Sequence, residues 1–267
     1  MQQVKSRDAE IFYEVLGSGP PVVLLHPFPA NHEFWLPAAQ ALVSRYQVLL
    51  PDLRGHGDSG VGEGPATMDK HAADLVAVLD QERIRRAVLV GVSIGGYVLF
   101  EFWRRSADRV AALVLSNTKA QADTAEGRAM RLEAATRVME QGTEPFLESM
   151  LPKLLGETTR RTRPDLVQGA LGMMQKMSPE DVAMVQRGMA ERRDSVEILG
   201  TMKVSTLVLT GDEDVLTGVG DAQLIERHIP GCQMKVVAKA GHYSAWERPE
   251  EVGKILRQFV DTVSSTR

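Results

Sequence analysis

Ser93 stands in the stretch VLVGVSIGGYVLF, residues 88–100, between Gly91 and Gly95. A serine hydroxyl becomes a useful nucleophile only when a base takes its proton and an anionic group steadies that base. Gly91-Val92-Ser93-Ile94-Gly95 fits G-x-S-x-G, the pattern of a sharp strand-to-helix turn that holds a nucleophilic serine out from the backbone. Side chains two places before and after the serine would collide in such a turn, and glycine fills both places. The competing reading is a glycine-rich turn kept only for close packing. A strand pattern before the serine and a helix pattern after it favour the nucleophile. For such a serine the chain order is serine, acid, histidine. LVLTGDEDV offers Asp212, Glu213 and Asp214 directly after a strand-like run. VVAKAGHYSAWERP offers His242 after a further run and ahead of a final helix. Acyl transfer also needs preset donors for a developing oxyanion, and the N–H of Ile94, opening the helix after the nucleophile, is one.

These residues need strands that end side by side. EIFYEVL (10–16), PVVLLH (21–26), YQVLLPD (46–52), AVLVGV (87–92) and VAALVLS (110–116) read as strands. Most lack polar alternation, as in a parallel sheet covered on both faces. FWLPAAQALVSRY, TMDKHAADLVAVLDQER and GGYVLFEFWRRS carry helical periodicity between them, with Thr67 as an N-cap. From Thr118 to Met202 the strand rhythm stops and four helical stretches follow, broken by Gly and Pro; Ser178-Pro179 with Asp181 is a helix start. STLVLTG (205–211), QMKVVA (233–238) and two helical stretches resume the first pattern. The reading is an α/β core over residues 1–117 and 203–267 with an all-helical insertion over 118–202. The methionines at 130, 139, 150, 173, 174, 177, 184, 189 and 202 lie in or at the edge of that insertion. They are either filler for a thin helical layer or the deformable ceiling of a pocket.

The composition is that of a globular protein: 267 residues, 43% hydrophobic and 25% charged, which argues against disorder. The net charge of −4 disfavours general nucleic-acid binding. Arg160, Arg161 and Arg163 read as the solvated face of a loop. Cys232 is the only cysteine, which leaves no internal disulfide. The polar start MQQVKSRDAE has no signal-peptide core, and no apolar run approaches the ~18 residues of a membrane span. The expectation is a cytoplasmic protein without membrane or nucleic-acid partners, monomeric or homodimeric. No histidine has a partner at metal-ligand spacing, and there is no phosphate-cradling glycine loop, so no metal and no cofactor are expected.

Taken together, LLHPFPANHEFW, PDLRGHGDS, GVSIGG, LVLTGDED and AGHYSAWERPEEV resemble, in order, the conserved-order segments of the α/β-hydrolase family, over nearly the whole chain. The resemblance implies a mostly parallel eight-stranded sheet with helices on both faces and a helical lid inserted after the sixth strand. It selects Asp214 over Asp212 as the acid, since the family's acid is the third residue after the strand-closing glycine. It places the second oxyanion donor at the backbone N–H of Phe28. It also implies structural roles for His26 and His56, with His56 bracing its loop or lining the pocket. His71 falls in a helix, and His32 and His228 read as peripheral. One departure stands out: many members have His-Gly where this chain has His26-Pro27. Pro27 has no N–H to donate. Pro27 and Pro29 also bias their neighbours to extended backbone, so the loop is either stiffened around Phe28 or redirected.

A serine at the elbow excludes the relatives that depend on an aspartate nucleophile, the haloalkane dehalogenases and epoxide hydrolases. The expected function is hydrolysis of small carboxylic esters by Ser93, His242 and Asp214. Alternatives are a lactonase such as 3-oxoadipate enol-lactonase, a cofactor-free perhydrolase, and a small-molecule receptor on the same fold. Phe28, Trp35, Val92, Tyr97, insertion methionines and Trp246 make the expected substrate pocket, which is apolar. An enol-lactone would require a cation for its carboxylate; Arg54, Arg128 and Arg131 are candidates, though each reads more simply as solvent-facing charge.

Overall fold

The computed structural model describes residues 1–265; the last two residues of the second core segment, 266–267, lie outside it. In chain order the elements begin β1 (Gln2–Ser6), β2 (Ala9–Leu16), β3 (Pro21–Leu25), α1 (Leu36–Ala39), β4 (Gln47–Pro51) and α2 (Met68–Gln81). They continue β5 (Ala87–Val92), α3 (Ile94–Ser106), β6 (Val110–Ser116), then α4 (Ala125–Gln141), α5 (Glu144–Leu154) and α6 (Glu157–Thr162). Next come α7 (Pro164–Met174), α8 (Pro179–Ala190), α9 (Val196–Leu199), β7 (Thr206–Gly211) and α10 (Val219–His228). The chain closes with β8 (Gln233–Val237), α11 (Ser244–Glu247) and α12 (Pro249–Ser265). The eight strands form one sheet in the order β1-β2-β4-β3-β5-β6-β7-β8. β1 and β2 are antiparallel at one edge, and every pair from β4 through β8 is parallel.

The parallel strands are apolar on both faces because both faces are covered. Their pleat sends alternate residues into two cores. Val23, Leu25, Leu89, Leu113 and Leu115 pack with α2, α3 and α10 on one side. Val22, Leu24, Val88, Val90 and Val114 pack with α1 and α12 on the other. α12 presents Val252, Leu256, Phe259 and Val260 inward, each buried side chain contributing roughly 1.5–3 kcal/mol. The helices between β6 and β7 feed both cores: α4 and α8 extend the first, α5 and α7 the second.

Two local expectations change. The helical pattern in FWLPAAQALVSRY shortens to a 3-10 turn and the four-residue α1, followed by turns closed by i+3 bonds such as Leu42 N–H to Ala39 O. The Arg257 guanidinium from α12 takes the Ala41 carbonyl at 2.8 Å, so a tertiary donor competes with the helix there. Arg160 and Arg161 sit on a helix, α6, rather than a loop. The α6 N-terminus is held by Glu213 from another segment, which accepts the Thr158 N–H at 2.8 Å, and no local sequence signal encodes that. Among the described residues no helix is long and apolar enough to cross a membrane.

Candidate active site

Ser93 is the single residue between β5 and α3, at φ 54° and ψ −114°. That left-handed backbone is costly for a side-chain-bearing residue and is held by its surroundings. A Cβ on Gly91 would lie 2.5 Å from the Gly95 backbone, and one on Gly95 would lie 2.7 Å from Leu25 O. Both glycines are therefore required by close approach, as the sequence indicates. The Ser93 N–H donates to Ser116 O at 3.0 Å, and the Thr118 hydroxyl donates to Ser93 O at 2.8 Å. These bonds fasten the turn to the end of the neighbouring strand, β6. Ile94 is the first residue of α3 and fully buried, so its N–H has no acceptor within the helix.

Asp214 and His242 follow β7 and β8 and come together. His242 Nδ1 donates to Asp214 Oδ2 at 2.9 Å, with both side chains buried. The Asn117 amide and the Thr217 hydroxyl donate to the same oxygen at 2.9 and 2.8 Å. The N–H groups of Leu216 and Thr217 donate to Oδ1 at 2.8 and 3.0 Å. Burial alone would raise the Asp214 carboxyl; the charge and hydrogen bond of His242, with the other donors, hold it well below the usual carboxylate range. The carboxylate is thus anionic and saturated with donors. With Nδ1–H committed to Asp214, the other ring nitrogen keeps its lone pair for a proton. Asp212 is exposed and has no contact with the His242 ring among the described bonds.

The loop after β3 is held by its carbonyl, not by the missing N–H of Pro27. Pro27 O accepts from His26 Nδ1 and from the Ala30 N–H, both at 2.9 Å, and the Leu53 N–H donates into His26 Nε2 at 2.9 Å. Phe28 is 5% exposed, its ring edge-on to His56 at 5.7 Å and tilted against Phe146 at 6.0 Å. His56 Nδ1 donates to Arg54 O at 3.0 Å, while its Nε2 is buried without a partner. Trp35 and Val92 are fully buried in the second core. Tyr97 is 4% exposed with the Arg192 guanidinium 4.0 Å above its ring. Trp246 is half-buried and its indole donates to Leu166 O at 3.0 Å.

Two assignments to the surface are corrected. His32 is not peripheral: it is buried, and its Nδ1 and backbone N–H both donate to the buried carboxylate of Asp52, at 2.8 and 2.7 Å. Burial works against the charge on this ring, but Asp52 holds its pKa above the ordinary value. Arg54 is not solvent-facing: its side chain is fully buried, bonded to both oxygens of Asp74 at 2.9 and 2.7 Å and to Asp8 at 2.7 Å. Those partners lie on elements distant in the chain, and neither could be read from a local pattern. Arg128 is exposed, and Arg131 is bonded to Asp123 at 2.6 Å.

Sequence reasoning also missed Asn117, Ser244 and Glu247, and it offered Glu213 only as a candidate acid, where the structure has it bonded to Thr158. Asn117, at φ 44°, accepts from the Ser244 hydroxyl at 2.6 Å while donating to Asp214, and so joins the ends of β6, β7 and the start of α11. Glu247 is 1% exposed. Its carboxylate accepts the Gly241 N–H at 2.8 Å, one residue before His242, and the Gly156 N–H at 2.9 Å, in the insertion.

The sheet order and a strained serine between strand and helix define the α/β-hydrolase architecture. The sequence matches the alpha/beta hydrolase fold family over residues 20–249, and the chain belongs to that family. It is similar to a thermophilic esterase from Thermogutta terrifontis, solved with malate bound, at 36% identity and a TM-score of 0.95, covering 98% of this chain and 99% of that one. It is also similar to 3-oxoadipate enol-lactonase 1 of Acinetobacter baylyi, at 27% identity over 92% of this chain and 90% of the relative. The enol-lactonase from Burkholderia xenovorans LB400, at 24% identity and a TM-score of 0.91 over 97% and 100% of the two chains, shares the fold.

Proposed function

We propose that the protein is a serine hydrolase of small carboxylic esters acting through an acyl-enzyme. The observation that carries this is the buried 2.9 Å bond between His242 Nδ1 and Asp214 Oδ2, in a chain whose Ser93 occupies the strained turn after β5. Ser93 Oγ attacks the ester carbonyl carbon while Nε2 of His242 takes the hydroxyl proton. Asp214 holds the imidazole and stabilises its cationic form. The carbonyl oxygen becomes an oxyanion received by the N–H groups of Phe28 and Ile94, each such donor being worth roughly 10²–10³ in rate. Collapse expels the alcohol, which leaves with the proton from His242. Water then adds to the acyl-enzyme with His242 as base, releasing the carboxylic acid and restoring Ser93. Phe28, Trp35, Val92, Tyr97 and Trp246 line or back the apolar pocket. The insertion over residues 118–202 serves as a lid on the core of 1–117 and 203–267.

Lactone cleavage is the second reading, favoured by the likeness to the Acinetobacter enol-lactonase. It follows the same steps with a tethered alcohol. Against an anionic enol-lactone, Arg54 is spent on Asp74 and Asp8, and Arg131 on Asp123.

A fluorophosphonate probe tests the reading directly. It is expected to label Ser93, with labelling and p-nitrophenyl acetate turnover both abolished in Ser93→Ala and reduced by orders of magnitude in His242→Ala. Labelling at another serine, or none on folded protein, would instead fit a receptor. Adding hydrogen peroxide and an enol-lactone to the same panel separates the perhydrolase and lactonase alternatives.

A further inference from the structure

Among the described bonds, the Thr217 hydroxyl alone reaches both the candidate acid and the candidate base. It donates to Asp214 Oδ2 at 2.8 Å, and its oxygen lies 3.2 Å from His242 Nδ1. A hydroxyl has one proton to give and lone pairs with which to receive. With that proton on Asp214, the Thr217 oxygen is a second acceptor for the imidazole N–H, beside the 2.9 Å bond to Asp214. Asp214 is satisfied without this donor, since the Asn117 amide and the N–H groups of Leu216 and Thr217 already hold its two oxygens. Thr217 is 3% exposed. Its N–H is fixed on Asp214 Oδ1, and its carbonyl accepts from the Thr210 hydroxyl of β7 at 3.4 Å. A β-branched side chain on a fixed backbone has little freedom at χ1, so the hydroxyl stays against the ring.

We propose that Thr217 is a positioning residue that keeps His242 Nδ1–H bonded while the imidazole shifts between the Ser93 hydroxyl and the oxygen of the leaving alcohol. On the acyl-enzyme reading above, on which this rests, Nε2 takes its proton at one oxygen and delivers it at another. The ring moves slightly between the two, and a lone acceptor for Nδ1–H would be stretched by that movement. Two acceptors side by side share the N–H across it. No proton passes to Thr217, whose own O–H stays on Oδ2, and the covalent bonds made and broken are those of acyl transfer alone.

The leaving group supplies the test. An alkoxide leaves only as it takes the proton from His242, whereas p-nitrophenolate leaves as a stable anion without it. Ethyl acetate and p-nitrophenyl acetate give the same acetyl-enzyme, so the ratio of their kcat/KM values isolates the step in which the alcohol departs. It is measured on the wild type, Thr217→Val and Thr217→Ser. Valine keeps the shape and leaves no buried donor or acceptor without a partner, and Thr217→Ala replaces it if the loop does not tolerate the second methyl. The ethyl-to-p-nitrophenyl ratio is expected to fall about tenfold without the hydroxyl, part of the roughly 10²–10⁴ supplied by proton transfer from a placed side chain. Thr217→Ser is expected to restore it to within about threefold. Equal losses on both esters, no loss on either, or a fall that serine does not restore each overturns the proposal, the first being what a residue that only braces its loop would give. A wild type that turns over neither ester sinks the hydrolase reading instead. The Nδ1–H proton resonance of His242, read by NMR on the resting protein, then decides the shared bond. A resonance moved in Thr217→Val and restored in Thr217→Ser upholds it, and the same resonance in all three proteins rejects it.

Discussion

Asn117 shows how much of the candidate site is held in place by residues outside Ser93, Asp214 and His242. Its amide donates to the Asp214 oxygen that also receives His242, and its carbonyl takes two hydroxyls, those of Ser116 and Ser244. Asn is among the few residues that tolerate the left-handed backbone found here. Asn117→Asp keeps the shape but turns the donor into an acceptor facing a carboxylate. The expected outcome is a fall in kcat of up to ~10²-fold from a misplaced imidazole, with KM little changed. Steady-state kinetics on p-nitrophenyl acetate check it, and an unchanged kcat removes Asn117 from the machinery. Ser93 was legible because its two glycines and its flanking strand and helix are neighbours in the chain. Asn117 was not, because its partners lie 97 and 127 residues away.

Among the elements, the turn from α5 into α6 matters beyond its length. Leu154 O accepts the Tyr243 N–H at 2.9 Å, Gly156 N–H reaches Glu247, and the Thr158 N–H and hydroxyl reach Glu213 at 2.8 and 2.5 Å. Glu213 precedes Asp214 and Gly241 precedes His242, so this one turn of the insertion is bonded to both loops that carry the candidate acid and base. Glu247→Ala leaves two buried N–H groups without an acceptor, at about 1–3 kcal/mol each. A loss of roughly 2–5 kcal/mol in urea unfolding is expected, against less than about 1.5 kcal/mol for Thr158→Val, which forfeits one hydroxyl bond. Equal losses would mean that Glu247 does not join the two segments. The major helices and parallel strands were legible from periodicity. α6, α9 and α11 were not, because they are short and exist through contacts with other segments.

For the whole molecule, the pH dependence of stability follows from histidines closed inside it. Burial pushes His26 down to about 3 and His56 down to about 4, and it lowers His71 well below its ordinary value. Unfolded histidine titrates near ~6.5, so between that value and about 4 the unfolded chain binds protons the native state does not. Stability from these rings is complete above pH ~6.5 and is lost as the pH falls through the folded values. His32, raised by Asp52, works the other way, but it is one ring against three. The urea midpoint is expected to fall steadily from pH 7 to pH 4.5, with a shallower slope in His56→Gln. A flat profile contradicts the burial of these rings. The two-sided core belongs to this scale as well. The sequence indicates a sheet covered on both faces, but not that the insertion extends both cores instead of forming one of its own.

Sequence alone determined the class of fold and pointed to Ser93 and His242 as candidate nucleophile and base, because period, glycine clearance and chain order are properties of adjacent residues. It did not determine which charges are inside. Arg54 and His32 look like surface residues until Asp74, Asp8 and Asp52 are brought to them. Nor did it yield the bonds from Glu247 and Glu213 to the insertion. A charge or hydrogen-bond donor is read locally only by type, whereas its burial and its partner depend on segments that folding brings within about 3 Å.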